Sequence, residues 1–278
     1  MTEVYLAGTG VPTPNAQRMG SCVVVVVDGE PILFDCGRGA ATQLVKLGLD
    51  PWRVENVFLT HHHYDHTIGL PDLLLGSWQM GRDTPLRVFG PAGTKHFVES
   101  IFETFRIDIQ SRLKKRDGRE GTRSLLEALP MEIDEGTVSE TPDWTVRAVR
   151  VVHLENALGF RIDTKDRSIV FSGDTRPCPA LVELAEDADV LVHEVFFSPE
   201  MEATGAPFGR RKEFVNPQWG ERVRHTKPHE VGVIATQARV KKLVLTHMWS
   251  NQDEDRLREL VAANYDGEIV IGRDLMNI

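Results

Sequence analysis

The stretch Val54-Glu55-Asn56-Val57-Phe58-Leu59-Thr60-His61-His62-His63-Tyr64-Asp65-His66 decides the fold. An apolar run that reads as a strand, Val54 to Leu59, ends in a loop crowded with imidazoles and a carboxylate. A strand end aims residues two apart to one side, and the turn that follows aims the next pair elsewhere. Neutral imidazole and carboxylate oxygen suit Zn²⁺ and other borderline cations, so a metal site with room for two ions is the first expectation. Anchored on Asp65-His66, the pattern HxHxDH makes His61 and His63 ligands and turns His62 away. A chance cluster of surface histidines is the competing reading. Against it stand three further ligand candidates, each at the end of a predicted strand: His153, Asp174 and His247.

Outward from this loop, short strands alternate with helices. Strands are expected at Val4 to Ala7, Cys22 to Val27, Ile32 to Phe34, Leu86 to Phe89, Thr145 to Val152, Leu158 to Ile162, Ser168 to Phe171, Val190 to Val192, Lys242 to Leu245 and Glu268 to Ile271. Helices are expected at Gly39 to Leu47, Thr94 to Phe105, Pro179 to Glu186, Glu230 to Ala238 and Glu254 to Asn264. Strand meanders broken by helices favour an α/β fold of two sheets face to face with helices outside. No linker divides the chain, so a single domain over 1–278 is expected. Its rhythm breaks in an insertion around 106–130, with basic residues from Arg106 to Arg123, and in a long loop around 198–224. Long loops of this kind are often lids or binding loops.

The 278 residues carry 32 Lys plus Arg against 41 Asp plus Glu, a formal net charge of −9 that excludes a protein basic overall. Hydrophobic residues at 41% and charged residues at 26% exclude disorder and collagen-like chains. Cys22, Cys36 and Cys178 are widely spaced and lack CxxC, which argues against a disulfide framework or a thiolate zinc site. The longest apolar run, Cys22 to Val27, is far short of a membrane helix. These features together predict a cytoplasmic protein that does not engage a membrane. Trp78, Trp219 and Trp249 are candidates to line a pocket, and His96 and His229 fall in helical patterns.

The order of His61-x-His63-x-Asp65-His66, His153, Asp174 and His247 strongly resembles the metallo-β-lactamase superfamily, over nearly the whole chain. That resemblance implies an αββα sandwich of two mixed sheets flanked by helices. It also implies one zinc held by His61, His63 and His153, a second by Asp65, His66 and His247, and Asp174 bridging them. Leu6-Ala7-Gly8-Thr9-Gly10-Val11-Pro12, Leu33-Phe34-Asp35-Cys36-Gly37 and Ile68-Gly69-Leu70-Pro71 look most like the tRNase Z and arylsulfatase-like branch. His193-Glu194-Val195-Phe196 resembles the HEAT loop of tRNase Z, and His225-Thr226 its His-Ser-Thr loop. The resemblance therefore implies proton transfer by Glu194 and His225. One departure is clear: tRNase Z usually carries a tRNA-gripping arm between the third and fourth metal motifs, and here only Leu154 to Gly173 separates His153 from Asp174.

The expected chemistry is hydrolysis of an ester, amide or phosphodiester by a hydroxide bridging two Zn²⁺, with Mn²⁺ or Fe²⁺ also compatible. Asp65 is expected to orient or deprotonate the water, and Glu194 with His225 to protonate the leaving group. The missing arm and acidic balance favour a small-molecule substrate, anionic or aromatic, and rank nucleic acid lower; a homodimer is left open. The alternatives are a ribonuclease Z-like tRNA 3′ processing endonuclease and, in a different class, a di-iron redox or oxygen-binding protein. On this reading pre-tRNA is cleaved inefficiently.

Overall fold

The computed structural model describes residues 1–116, 125–197, 225–250 and 252–278. The first sheet grows from apolar runs too continuous for a half-exposed strand. β2 (Cys22–Val27) is buried along its whole length, and β3 (Glu30–Phe34) at all but its first residue. They are joined by β1 (Thr2–Gly8), β4 (Asn56–Phe58), β5 (Leu86–Gly90), β6 (Ala128–Glu132) and the returning C-terminal β14 (Met276–Asn277), in the order β14-β1-β2-β3-β4-β5-β6. The second sheet contains β7 (Gly136–Glu140), β8 (Trp144–Arg150), β9 (Leu158–Thr164), β10 (Ser168–Phe171), β11 (Val190–Glu194), β12 (Lys242–Thr246) and β13 (Glu268–Ile271), in the order β13-β12-β11-β10-β9-β8-β7. Each sheet is mixed: β1–β3 and β7–β10 pair antiparallel, while β3–β6 and β10–β13 pair parallel.

Three apolar layers hold the sandwich together. Between the sheets, Phe34 stacks on Phe171 at 4.0 Å and on Phe58 at 5.2 Å, and Phe58 stacks on Phe89 at 4.6 Å. Full burial of each such ring contributes roughly 1.5–3 kcal/mol. Outside the first sheet lie α1 (Ala40–Lys46), α3 (Leu70–Gln79) and α4 (Thr94–Thr104), which bury Leu44, Leu73 and Val98. Outside the second lie α6 (Pro179–Leu184), α7 (Pro228–Gln237) and α8 (Glu254–Ala262), which bury Leu181, Val231 and Leu257. This is the expected α/β sandwich.

The loop after β4 is pinned by close backbone approach. A Cβ on Gly37 would stand 2.3 Å from the Asp65 carbonyl oxygen, and one on Gly69 would stand 2.1 Å from the Gly37 carbonyl oxygen. Only glycine allows these segments to meet and hold the short helix α2 (Tyr64–Thr67) against the end of β3.

Two expectations change. The basic span read as a break in the rhythm begins as a helix, α5 (Arg106–Arg116), directly after α4. Its polar sequence lacks the apolar face by which buried helices are recognised. The strand expected over Val54 to Leu59 is confined to Asn56–Phe58, because Pro51–Arg53 forms a 3₁₀ turn just before it. The loop of 198–224 and residues 117–124 lie outside the described residues. Among the described residues, no helix is long and apolar enough to cross a membrane.

Candidate metal centre

The strands deliver their polar residues to one edge of the sandwich. His61 and His63 follow β4, and His63 ends the extended segment from which α2 turns Asp65 and His66 inward. His153 lies beyond β8, Asp174 beyond β10, Glu194 ends β11 and His247 follows β12. Both sheets thus present the carboxyl ends of parallel strands here, the usual place for a ligand in α/β architectures. Asp35 and His247 adopt left-handed backbone, with φ of 61° and 58°. Such local strain clusters where a site dictates side-chain direction.

The side chains converge closely. His63 Nδ1 lies 2.9 Å from His61 Nε2 and 3.1 Å from His153 Nε2. Ligand atoms of His61, His63, His153 and Asp174 all fall within 4.8 Å of one another, and so do those of Asp65, His66 and His247. Asp174 faces both groups: Oδ2 is 3.8 Å from His61 Nε2, 3.7 Å from His153 Nε2 and 3.6 Å from His247 Nε2, and Oδ1 is 3.4 Å from His66 Nε2. His66 Nε2 and Asp174 Oδ1 are buried without a hydrogen-bond partner. A buried polar atom left so costs roughly 1–3 kcal/mol, whereas a cation between these donors would satisfy them. The donor set, imidazole and carboxylate without thiolate, fits divalent metal.

Surrounding groups orient the rings. Asp35 accepts from His66 Nδ1 at 2.6 Å and from the Thr60 backbone amide at 2.8 Å, while Thr60 Oγ1 lies 3.0 Å from His61 Nδ1. Each contact leaves Nε2 aimed at the cluster, the arrangement that fixes a ligating tautomer. Sequence reasoning assigned no role to Asp35. Its signal was available, an acid immediately after a buried strand, comparable to Asp174 shortly beyond β10. His62 turns out of the cluster, with Nε2 3.0 Å from Thr94 Oγ1 and its ring beside Phe97.

Burial holds His61 well below the ordinary imidazole range. Burial opposes charge on His66 and Asp174 too, but neighbouring charges win: Asp174 and Asp35 raise His66 well above its usual value, and His247 together with His66 and His61 lowers Asp174 well below its own. Asp65 is also held low, where the hydrogen bond from His247 at 3.2 Å and the charge of His66 outweigh burial. His225 Nδ1 lies 2.8 Å from Glu194 Oε1 and 3.9 Å from Asp174 Oδ2. Burial lowers His225, but the Glu194 carboxylate overrides it and pushes the imidazole up to about 9. Burial raises the carboxyl of Glu194, whose Oε1 also accepts from the Thr175 amide. Of the tryptophans, Trp78 is in the core, Trp249 meets Phe196 edge-on at 5.3 Å, and Trp219 lies outside the described residues. His96 and His229 are exposed on α4 and α7.

Residues 30–248 match the family model of the beta-lactamase superfamily domain. The chain is 34% identical to a ribonuclease Z of Mycobacterium marinum, covering 100% of this chain and 98% of that protein. It is 33% identical to a ribonuclease Z of Mycolicibacterium gilvum, covering 100% and 96%. Among solved structures it resembles human tRNase Z, short form, with 25% identity and a TM-score of 0.74 over 100% of this chain and 98% of that one. These similarities overturn the preference for a small-molecule partner over nucleic acid. That preference rested on the missing arm and on net charge; whole-chain similarity to ribonucleases Z outweighs the first, and a charge summed over the chain does not report local clusters of cations.

Proposed function

Because the chain belongs to the β-lactamase superfamily, as a metal-dependent hydrolase of its tRNase Z branch, we propose that it is a ribonuclease Z-like endonuclease that trims the 3′ end of precursor tRNA. The observation that carries this reading is similarity to ribonucleases Z along the whole chain. The Glu194–His225 pair beside Asp174 supports it.

In this reading His61, His63 and His153 would hold one cation and Asp65, His66 and His247 a second, with the Asp174 carboxylate facing both groups; Zn²⁺ suits the donors best, with Mn²⁺ or Fe²⁺ as alternatives. Bound there, the cations would supply Lewis acidity for the phosphoryl group and lower the pKa of water. Asp65, kept ionised, orients the attacking water and accepts its proton at a carboxylate oxygen. His225, kept protonated by Glu194, delivers a proton from its imidazole to the departing oxygen. Glu194 holds that ring by its Nδ1 and leaves Nε2 to face the substrate. We also infer a cytoplasmic location, supported by three free, buried cysteines, which suit a reducing compartment.

The test is incubation of metal-loaded protein with a pre-tRNA bearing a 3′ trailer, with product ends mapped. Cleavage at the trailer junction is expected, falling by about 10²-fold or more in His225→Ala, the range expected for loss of a general acid. No cleavage above the enzyme-free control refutes the proposal.

A further inference from the structure

α5 is a basic element on an acidic protein. Its eleven residues hold Arg106, Arg112, Lys114, Lys115 and Arg116 against the single acid Asp108, while the chain as a whole carries −9. The helix stands in solvent: Ile107 is 79% exposed and Leu113 46%. Arg106 meets Glu103 at 3.2 Å and Arg112 meets Asp108 at 2.8 Å, all four side chains about half exposed or more. Exposed pairs of this kind are worth roughly 0–1 kcal/mol, so their cations exchange readily for another anion.

A groove lies between the segment that follows the candidate ligand loop and the residues that lead into α5. It is open, of about 490 Å³, and runs between Ile68, Pro71 and Leu75 on one wall and Phe97, Ile101 and Phe105 on the other. Ile68 lies two residues beyond His66, and Phe105 immediately precedes α5. Where tRNase Z usually keeps its gripping arm, this chain has only the β9–β10 hairpin between His153 and Asp174.

We propose that α5 is the tRNA-docking element of this enzyme, with Arg106, Arg112 and Lys114 contacting backbone phosphates of an RNA whose cleaved end lies at the metal edge. The inference rests on the tRNA-processing reading and adds where the substrate is gripped. Charge complementarity selects the occupant. A second copy docked through the same helix would set five cations against five, whereas a polyanion gains from each contact.

The experiment compares wild type with Arg106→Gln/Arg112→Gln/Lys114→Gln, both metal-loaded. It measures pre-tRNA affinity from about 50 to 200 mM salt, cleavage of pre-tRNA and of bis(p-nitrophenyl) phosphate, and oligomeric state by sedimentation. Each phosphate contact contributes a slope of roughly 0.9 in log K against log salt, so three lost contacts flatten the slope by about 2–3. The expected result is that flattening, at least tenfold weaker binding, a raised KM for pre-tRNA and unchanged turnover of the small diester. If wild type cleaves pre-tRNA and the variant keeps its slope and affinity, the inference falls and the function stands. Wild type that neither binds nor cleaves pre-tRNA removes both, and a change in oligomeric state with no change in salt slope shows α5 to be a subunit contact and overturns the inference.

Discussion

Replacing Glu194 by Gln should remove the proton that the folded protein keeps on His225. In the metal-free protein His225 is raised from 6.5 to about 9: burial lowers it, but the Glu194 carboxylate at 2.8 Å more than compensates. At ~1.4 kcal/mol per tenfold change, that rise corresponds to about 3 kcal/mol of stabilisation of the protonated folded form. A folded pKa above the unfolded one contributes stability fully present below about 6.5 and lost as pH rises through about 9. An amide at position 194 keeps the burial and removes the charge, so His225 should titrate below its wild-type value by two pH units or more. The assay is an NMR titration of the His225 ring in metal-free protein, with urea unfolding at pH 6 and pH 9.5. Comparing the two pH values isolates the part of the cost that follows the Glu194–His225 pair's protonation from the part that is the same at both pH values. The substitution should cost about 3 kcal/mol more at pH 6 than at pH 9.5. Bound cations would also oppose the imidazolium, so in the loaded enzyme the alkaline limb of cleavage should move down in the variant. Wild-type His225 titrating at its ordinary value, or the same titration in both proteins, would refute the electrostatic argument.

Three further outcomes follow from the geometry. Asp174→Ala, which removes the carboxylate facing both ligand groups, should lower bound metal from about two ions per chain and abolish most hydrolysis while leaving the circular dichroism spectrum folded; full metal content and full turnover would sink the bridging assignment. His62→Leu should leave metal content near wild type, since the ring points to Thr94, whereas His63→Ala should lower it sharply; plasma emission spectrometry of the dialysed proteins decides, and the reverse order would move the ligand register by one residue. Gly37→Ala places a Cβ 2.3 Å from the Asp65 carbonyl oxygen and 2.4 Å from the Gly20 carbonyl carbon, so the midpoint of urea unfolding should drop by roughly 1–3 kcal/mol equivalent together with metal affinity, and an unchanged midpoint would show that the loop yields freely.

The clustering of the candidate ligand loop was legible because its residues are local: His61, His63, Asp65 and His66 follow one short strand, and a strand end with a turn sets their directions within a few bonds. The sandwich was legible from the alternation of strand meanders with helices, and apolar runs such as Cys22–Val27 are indeed buried along their whole length. Resemblance of short motifs supplied Glu194 and His225, which are 31 residues apart, but neither motif reports the 2.8 Å contact that raises the imidazole. That contact exists because β11 and the segment entering α7 meet at one edge, a matter of long-range packing. Asp35 escaped notice for the same reason: its partner His66 is 31 residues away, and only the β3–β4 pairing beside the loop brings them to 2.6 Å. The partner class was misjudged from the short Leu154 to Gly173 segment and from the summed charge of −9, because neither the absence of one element nor a sum without positions reports where cations stand elsewhere on the surface. What a sequence determines alone is what neighbouring residues enforce on one another through bond geometry and the need to bury apolar runs. The tertiary structure decided which distant charges share a low-dielectric pocket and which stand apart in water, since electrostatic strength depends on separation and burial.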